Sequence, residues 1–258
     1  MIVFAGLIPH NPLLLQDKKF LQSSSGDAVH VLNAQIALTK VTTLVLISHH
    51  AAAYEKKYTM QFATEFSPTL KKIGIIDTGL GYTSNIALMS KIQTHACNKK
   101  LPLQISTVKE LDYGTAVTLK LLQLERAQIK LVVLGTANRS IVDHMEFGYQ
   151  LKDVFQNSNE RIGILVSADA SKRHASDSPA GFSTDAEPFD TSLITAIENR
   201  SISGLTKIVH ETTEPDECIT RALALCFGML RRFPIQTKLL SYEIRYGVGL
   251  LCANLFSE

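Results

Sequence analysis

At 258 residues, with 45% hydrophobic and 19% charged positions, the chain has the length and composition of one large or two small globular domains. A formal charge of +2, with no Lys/Arg run interleaved with aromatics, gives no case for nucleic acid or a membrane surface. No apolar run reaches membrane length, and four cysteines without Cys-x-x-Cys spacing predict a reduced, cytoplasmic protein with buried thiols.

In chain order, residues 2–8 read as a buried strand, too short and too poorly flanked for a signal peptide. Pro9-His10-Asn11-Pro12 breaks it, and the two prolines hold the His10 imidazole at the strand's exit. A polar loop, Ser23-Ser24-Ser25-Gly26-Asp27, precedes a helix predicted from Ala28 by the spacing of Val29, Leu32 and Ile36. Thr42 to Ser48 is a second buried strand, and it too delivers histidine at its carboxyl end, as His49-His50. In open α/β sheets that edge is where ligands bind.

A short strand over 58–63 and another over 71–77 follow, then Gly79-Leu80-Gly81, which lacks the pattern of a phosphate loop. A helix is predicted over 84–99, and a turn at 111–115 leads into a short helical segment. Lys130 to Gly135 is a strand. The helix from Ile141 to Phe155 is expected to leave His144 and Glu146 in solvent. Arg161 to Ser167 is a strand ending in Ala168-Asp169-Ala170-Ser171-Lys172-Arg173-His174, and the irregular stretch 175–188 has the character of a lid or site wall. Helices are predicted near 189–199 and 216–232, the second with Cys218, Ala222, Leu225 and Cys226 on one face.

Two apolar runs close the chain and flank Glu243 and Gly247-Val248-Gly249. They read as strands near the middle of a sheet, where a carboxylate needs a partner. That partner is an arginine, a histidine or a metal, the plainest case being an ion pair with Arg245 at a strand end. The alternation of strands and helices predicts a single-domain α/β fold over 1–258, with a mixed central sheet and helices on its faces. Two imidazoles and one carboxylate are the donors of the facial triad of non-haem iron(II) oxygenases, and they also suit catalytic zinc. Spacings this wide do not define such a site on their own.

The chain resembles the class III extradiol ring-cleavage dioxygenases, of the protocatechuate 4,5-dioxygenase catalytic-subunit type, and most closely the branch of the AmmeMemoRadiSam system protein B and Memo proteins. The resemblance rests on Gly6-Leu7-Ile8-Pro9-His10-Asn11-Pro12, Ile47-Ser48-His49-His50-Ala51, Leu111-Asp112-Tyr113-Gly114 and Ser167-Ala168-Asp169-Ala170-Ser171. It continues through Phe189-Asp190, Glu217-Cys218, Ser241-Tyr242-Glu243 and Tyr246-Gly247-Val248-Gly249. It implies iron(II), or zinc, on His10, His50 and Glu243, a catechol-like or other small-molecule substrate, and a homodimer as one assembly. His50 is preferred to His49 because it falls where the family's Ser-Pro-His-Ala places a ligand. Two departures stand out. Tyr113 replaces the histidine of Asp-His-Gly, and Lys172 replaces the histidine of Ser-His, the acid/base of ring opening. Proton handling is thereby assigned to Lys172 and Tyr113, with His174 as a substitute two residues on. The alternatives are a Memo-like metal-binding or interaction protein without ring cleavage, and a zinc hydrolase on the same ligands.

Overall fold

The structure, a computed structural model, describes residues 1–51, 53–68, 70–71, 74–75, 81–124, 128–211 and 218–258. Its frame is an eight-stranded mixed sheet in the order β10-β11-β1-β9-β2-β8-β3-β6. The central strands are β1 (Ile2–Ile8), β2 (Thr43–Ser48), β8 (Lys130–Gly135) and β9 (Ile162–Ser167). They are parallel and buried along nearly their whole length, as expected of strands covered on both faces. This is why they read in sequence as uninterrupted apolar runs. β3 (Tyr58–Gln61) runs antiparallel to β8 and pairs with β6 (Leu103–Ser106) at one edge. At the other side lies the antiparallel hairpin of β10 (Lys238–Arg245) and β11 (Val248–Ser257). It turns through Tyr246 and Gly247, both at positive φ. A small second sheet joins β4 (Glu65–Pro68), β5 (Tyr82–Thr83) and β7 (Glu110–Leu111).

Seven described helices cover the sheet: α1 (Ser24–Leu38), α2 (Ile86–Asn98), α3 (Tyr113–Leu121), α4 (Ile141–Gln156), α5 (Ala186–Glu198), α6 (Ile202–Glu211) and α7 (Ile219–Met229). Helix α1 begins four residues earlier than the apolar spacing suggests, because the Ser23 hydroxyl caps it by accepting the Gly26 N–H at 3.2 Å. Helix α6 was not anticipated; it buries only Leu205 and Ile208. The pair α4 and α7 approaches unusually closely. A Cβ on Gly148 would overlap the Leu225 carbonyl, and one on Gly228 would overlap the Met145 carbonyl.

Four expectations need adjusting. Glu243 lies on β10, an edge strand rather than a central one, since an apolar run does not reveal how many neighbours a strand has. His144 is fully buried instead of solvated. Cys97 is exposed, while Cys218, Cys226 and Cys252 are buried. The strand expected over 71–77 and the glycine pair at 79 and 81 fall mostly outside the described residues. Among the described residues, no helix is long and apolar enough to cross a membrane.

Candidate metal centre

Register determines where the site lies. Ile8 and Ser48 both pair with Ser167, and Ser48 pairs with Gly135. The carboxyl ends of β1, β9, β2 and β8 are therefore level, and the residues that follow emerge side by side along one edge. His10 leaves β1, His49 and His50 leave β2 in a short 3-10 turn, and Asp169 leaves β9. Two helix beginnings close over this edge. Tyr113 is the first residue of α3, and Cys218 occupies the cap position of α7.

His10, His50 and Cys218 come together with their ligand atoms within 4.8 Å of one another. The Nε2 atoms of His10 and His50 are 3.3 Å apart, and Cys218 Sγ is 3.8 Å from His10 Nε2. Donors sharing one tetrahedral ion at about 2.0–2.1 Å for nitrogen and about 2.3 Å for sulfur stand about 3.3 Å (N to N) and about 3.5 Å (N to S) apart. Two of the three separations are thus close to those of donors sharing one metal ion, and the third lies within 4.8 Å.

The other side of the His10 ring is tied to the scaffold. His10 Nδ1 contacts Ser167 Oγ at 3.0 Å, and that hydroxyl accepts from Thr118 Oγ1 at 2.9 Å. The His10 backbone N–H donates to Asp169 Oδ1 at 2.9 Å, and Asp169 Oδ2 stands 3.6 Å from His10 Nε2. The Asp112 carboxylate accepts from Ser48 Oγ at 2.8 Å and caps α3 through the Thr115 N–H at 3.0 Å. This brings the start of α3 against both imidazoles. Only glycine fits next, since a Cβ on Gly114 would lie 2.9 Å from His10 Nδ1 and 3.2 Å from His50 Cδ2. Tyr113 Oη then reaches His50 Nε2 at 2.7 Å.

The two rings differ in protonation. Burial alone pulls the His10 imidazolium down, but the Asp169 carboxylate, helped by Cys218, outweighs it and leaves the pKa raised to about 9. His50 is lowered to about 2, first by burial and then by the charges of His10, Lys172 and His49. The Lys172 ammonium is therefore felt by both imidazoles.

Lys172 is placed by a buried latch. Asp190 Oδ1 accepts the Ser171 N–H at 2.8 Å, and its Oδ2 meets His174 Nε2 at 2.7 Å and accepts from Tyr242 Oη at 2.8 Å. A Cβ on Gly249 would overlap Asp190 Oδ2, which accounts for the second glycine of Gly247-Val248-Gly249. His174 is held in this latch, away from the role of substitute base.

Glu243, the third residue of the expected ligand set, does not join the cluster. It accepts from Ser23 Oγ at 2.8 Å and Ser24 Oγ at 3.3 Å at the start of α1, where helix N–H groups favour an anion, and it lies 3.4 Å from Arg245 Nε. The ion-pair alternative raised by the sequence describes its surroundings. His49 is turned aside too, its Nδ1 on Thr136 Oγ1 at 2.7 Å. Cys218, the third member of the cluster, lies outside the ligand set expected from sequence. A lone cysteine has no spacing signature, and its apolar neighbours on α7 made it read as packing. Its place at the first turn of a helix was the available signal.

Comparison with known proteins agrees with this architecture. The Clostridium acetobutylicum protein CA_C1420 is 24% identical over 259 residues; the match covers 94% of this chain but only 55% of that protein, so the chain spans about half of its relative. The crystal structure of the uncharacterized protein JW3007 from Escherichia coli K12 superposes with a TM-score of 0.68 at 15% identity, covering 98% of this chain and all of that one, which is a likeness of fold. The family described as the catalytic LigB subunit of aromatic ring-opening dioxygenase matches residues 5–251, and the chain belongs to that family.

Proposed function

We propose that the protein is a metal-dependent oxidoreductase of the extradiol dioxygenase superfamily, with one ion held by His10, His50 and Cys218. The observation that carries this reading is the triangle of two facing imidazole nitrogens and a buried thiol, at spacings that fit a shared ion. The donors fit a metal but not the two-histidine, one-carboxylate triad, because Glu243 is engaged with Ser23 and Ser24. A thiolate beside two imidazoles suits iron(II), zinc or copper(I).

Once bound, the ion would supply Lewis-acid and redox chemistry at positions left open to a small molecule. The protein's own residues frame that space. His10, Cys218 and Asp169 form a buried floor, with His50 and Tyr113 partly exposed above it. Lys172 provides a positive charge that would attract an anionic oxygen of the substrate, while Tyr113 offers a hydroxyl to orient it. Family membership favours cleavage of a catechol-like diol as the reaction. A metal-donor cluster of His10, His50 and Cys218 alongside loss of both family acid/base histidines favours a second reading, a metal-binding protein without ring cleavage.

The test is elemental analysis of anaerobically purified protein, followed by oxygen uptake with a panel of catechols. Stoichiometric iron with uptake and a ring-opened product supports the oxidoreductase. Metal without turnover on any diol supports the second reading. Absence of any bound metal after reconstitution would overturn both.

A further inference from the structure

We infer that Arg221 is a specificity-determining residue, clamping a carboxylate that the substrate carries on the side away from the metal. The inference rests on the reading of the site proposed above and adds the substrate's charge to it. Arg221 is the third residue of α7, three positions after Cys218, so the two side chains leave one face of the helix's first turn. Its Nε donates to the Arg139 carbonyl at 3.3 Å, just beyond the end of β8. β8 lies next to β2 in the sheet, and its Gly135 is level with Ser48. Helix α7 also packs against the His49–Ala51 turn, in which the His49 ring stands 5.9 Å from that of His50. The His144 pKa is lowered first by burial and then by the charges of Arg221 and His49, which puts both side chains close to the Thr136–Ala137 exit of β8. The guanidinium therefore lies one or two strand spacings, on the order of 5–10 Å, from the donors gathered above β9 and β2.

Arg221 is half-buried, and among the described residues it pairs with no carboxylate. The Asp143 carboxylate, on the first turn of α4, is taken by Ser140 at 2.8 Å and faces Arg139 at 3.8 Å. With Nε held by a carbonyl, the two terminal NH2 groups of the Arg221 fork point their parallel N–H bonds at a further acceptor. A carboxylate matches that fork in shape and charge. Lys172 follows β9 while Arg221 stands by β8, so the two cations flank the exit of β2 from opposite sides. They suit a small ring with a diol at the ion and a carboxylate at its far end.

Anaerobic calorimetry on the full-length, iron-reconstituted protein tests this with 3,4-dihydroxybenzoate and catechol, which differ only in the carboxylate. The wild type should bind 3,4-dihydroxybenzoate about tenfold or more tightly than catechol, as charge-assisted hydrogen bonds imply. Arg221→Gln should abolish that preference and Arg221→Lys should restore part of it, both with wild-type iron content and melting temperature. No preference in the wild type, or a preference that survives in Arg221→Gln, would overturn the clamp and leave the metal reading standing. Equal weakening of both ligands in Arg221→Gln would also overturn it, by marking the residue as structural. Failure of the wild type to take up iron, or to bind either diol, would overturn the reading of the site and the clamp with it.

Discussion

The Nδ1 atom of His10 rests 3.0 Å from the Ser167 hydroxyl, so the ring's Nε2 is left aimed at His50 and Cys218. Ser167 also accepts from Thr118, which fixes the direction in which its lone pairs point. A ligating histidine depends on such a partner for tautomer and orientation. Ser167→Ala should therefore weaken metal binding by about 10- to 100-fold, measured by competition with a chromophoric chelator. Unchanged affinity would mean that packing alone orients the ring.

His144 makes a pH prediction with a definite sign. It is fully buried, its Nδ1 donates to the Ser140 carbonyl at 2.8 Å, and its Nε2 accepts the Ala137 N–H at 3.3 Å. A second ring proton would face that N–H, and burial disfavours the charge; the pKa is lowered to about 4. Between pH 6.5 and 4 the unfolded chain then binds more protons than the folded one, so stability falls as pH falls. The loss attributable to this residue is on the order of 3 kcal/mol across that window. His50, also lowered, adds a slope of the same sign. Denaturant melts of His144→Gln should show a flatter pH dependence than the wild type. An identical slope would contradict the assignment.

The contact between α4 and α7 should be intolerant of a single methyl group. A Cβ at Gly148 or Gly228 would enter a carbonyl oxygen of the facing helix, and backbone cannot yield as a side chain does. Gly148→Ala is expected to cost about 3 kcal/mol or more, at or beyond the upper end of ordinary overpacking. Thermal unfolding would show a lower midpoint, whereas a change below about 0.5 kcal/mol, typical of a surface position, would refute the close approach.

Gly249→Ala should displace Asp190 and release the segment it holds through Ser171 and His174. Lys172 and Arg173 lie in that segment and are trypsin sites. Limited proteolysis should cut the variant there faster than the wild type while the core remains resistant. Equal rates would show that the latch does not hold the loop.

The parts of the fold visible in sequence are those dictated by burial on both faces. β1, β2, β8 and β9 appear as contiguous apolar runs because each is flanked by strands and covered by helices. The edge position of β10 was not visible, because Leu239, Leu240 and Tyr242 look the same whether one neighbour or two are present. His10 and the His49-His50 pair stand out in sequence because each follows a buried strand, and parallel strands of equal register deliver their next residues to one edge. Cys218 arrives from a helix 208 positions beyond His10. No local pattern encodes that meeting. Glu243 lies outside that cluster, and a carboxylate on a strand gives no hint that Ser23 and Ser24, at the start of α1, will bind it.

The measurement that bears most directly on the metal centre compares metal content in Cys218→Ala and Glu243→Gln, each reconstituted anaerobically alongside the wild type. Cys218→Ala should lose most of its metal, and Glu243→Gln should keep it, with at most a modest loss of stability at the start of α1. Retention by Cys218→Ala together with loss in Glu243→Gln would contradict the site and restore the carboxylate to the ligand set.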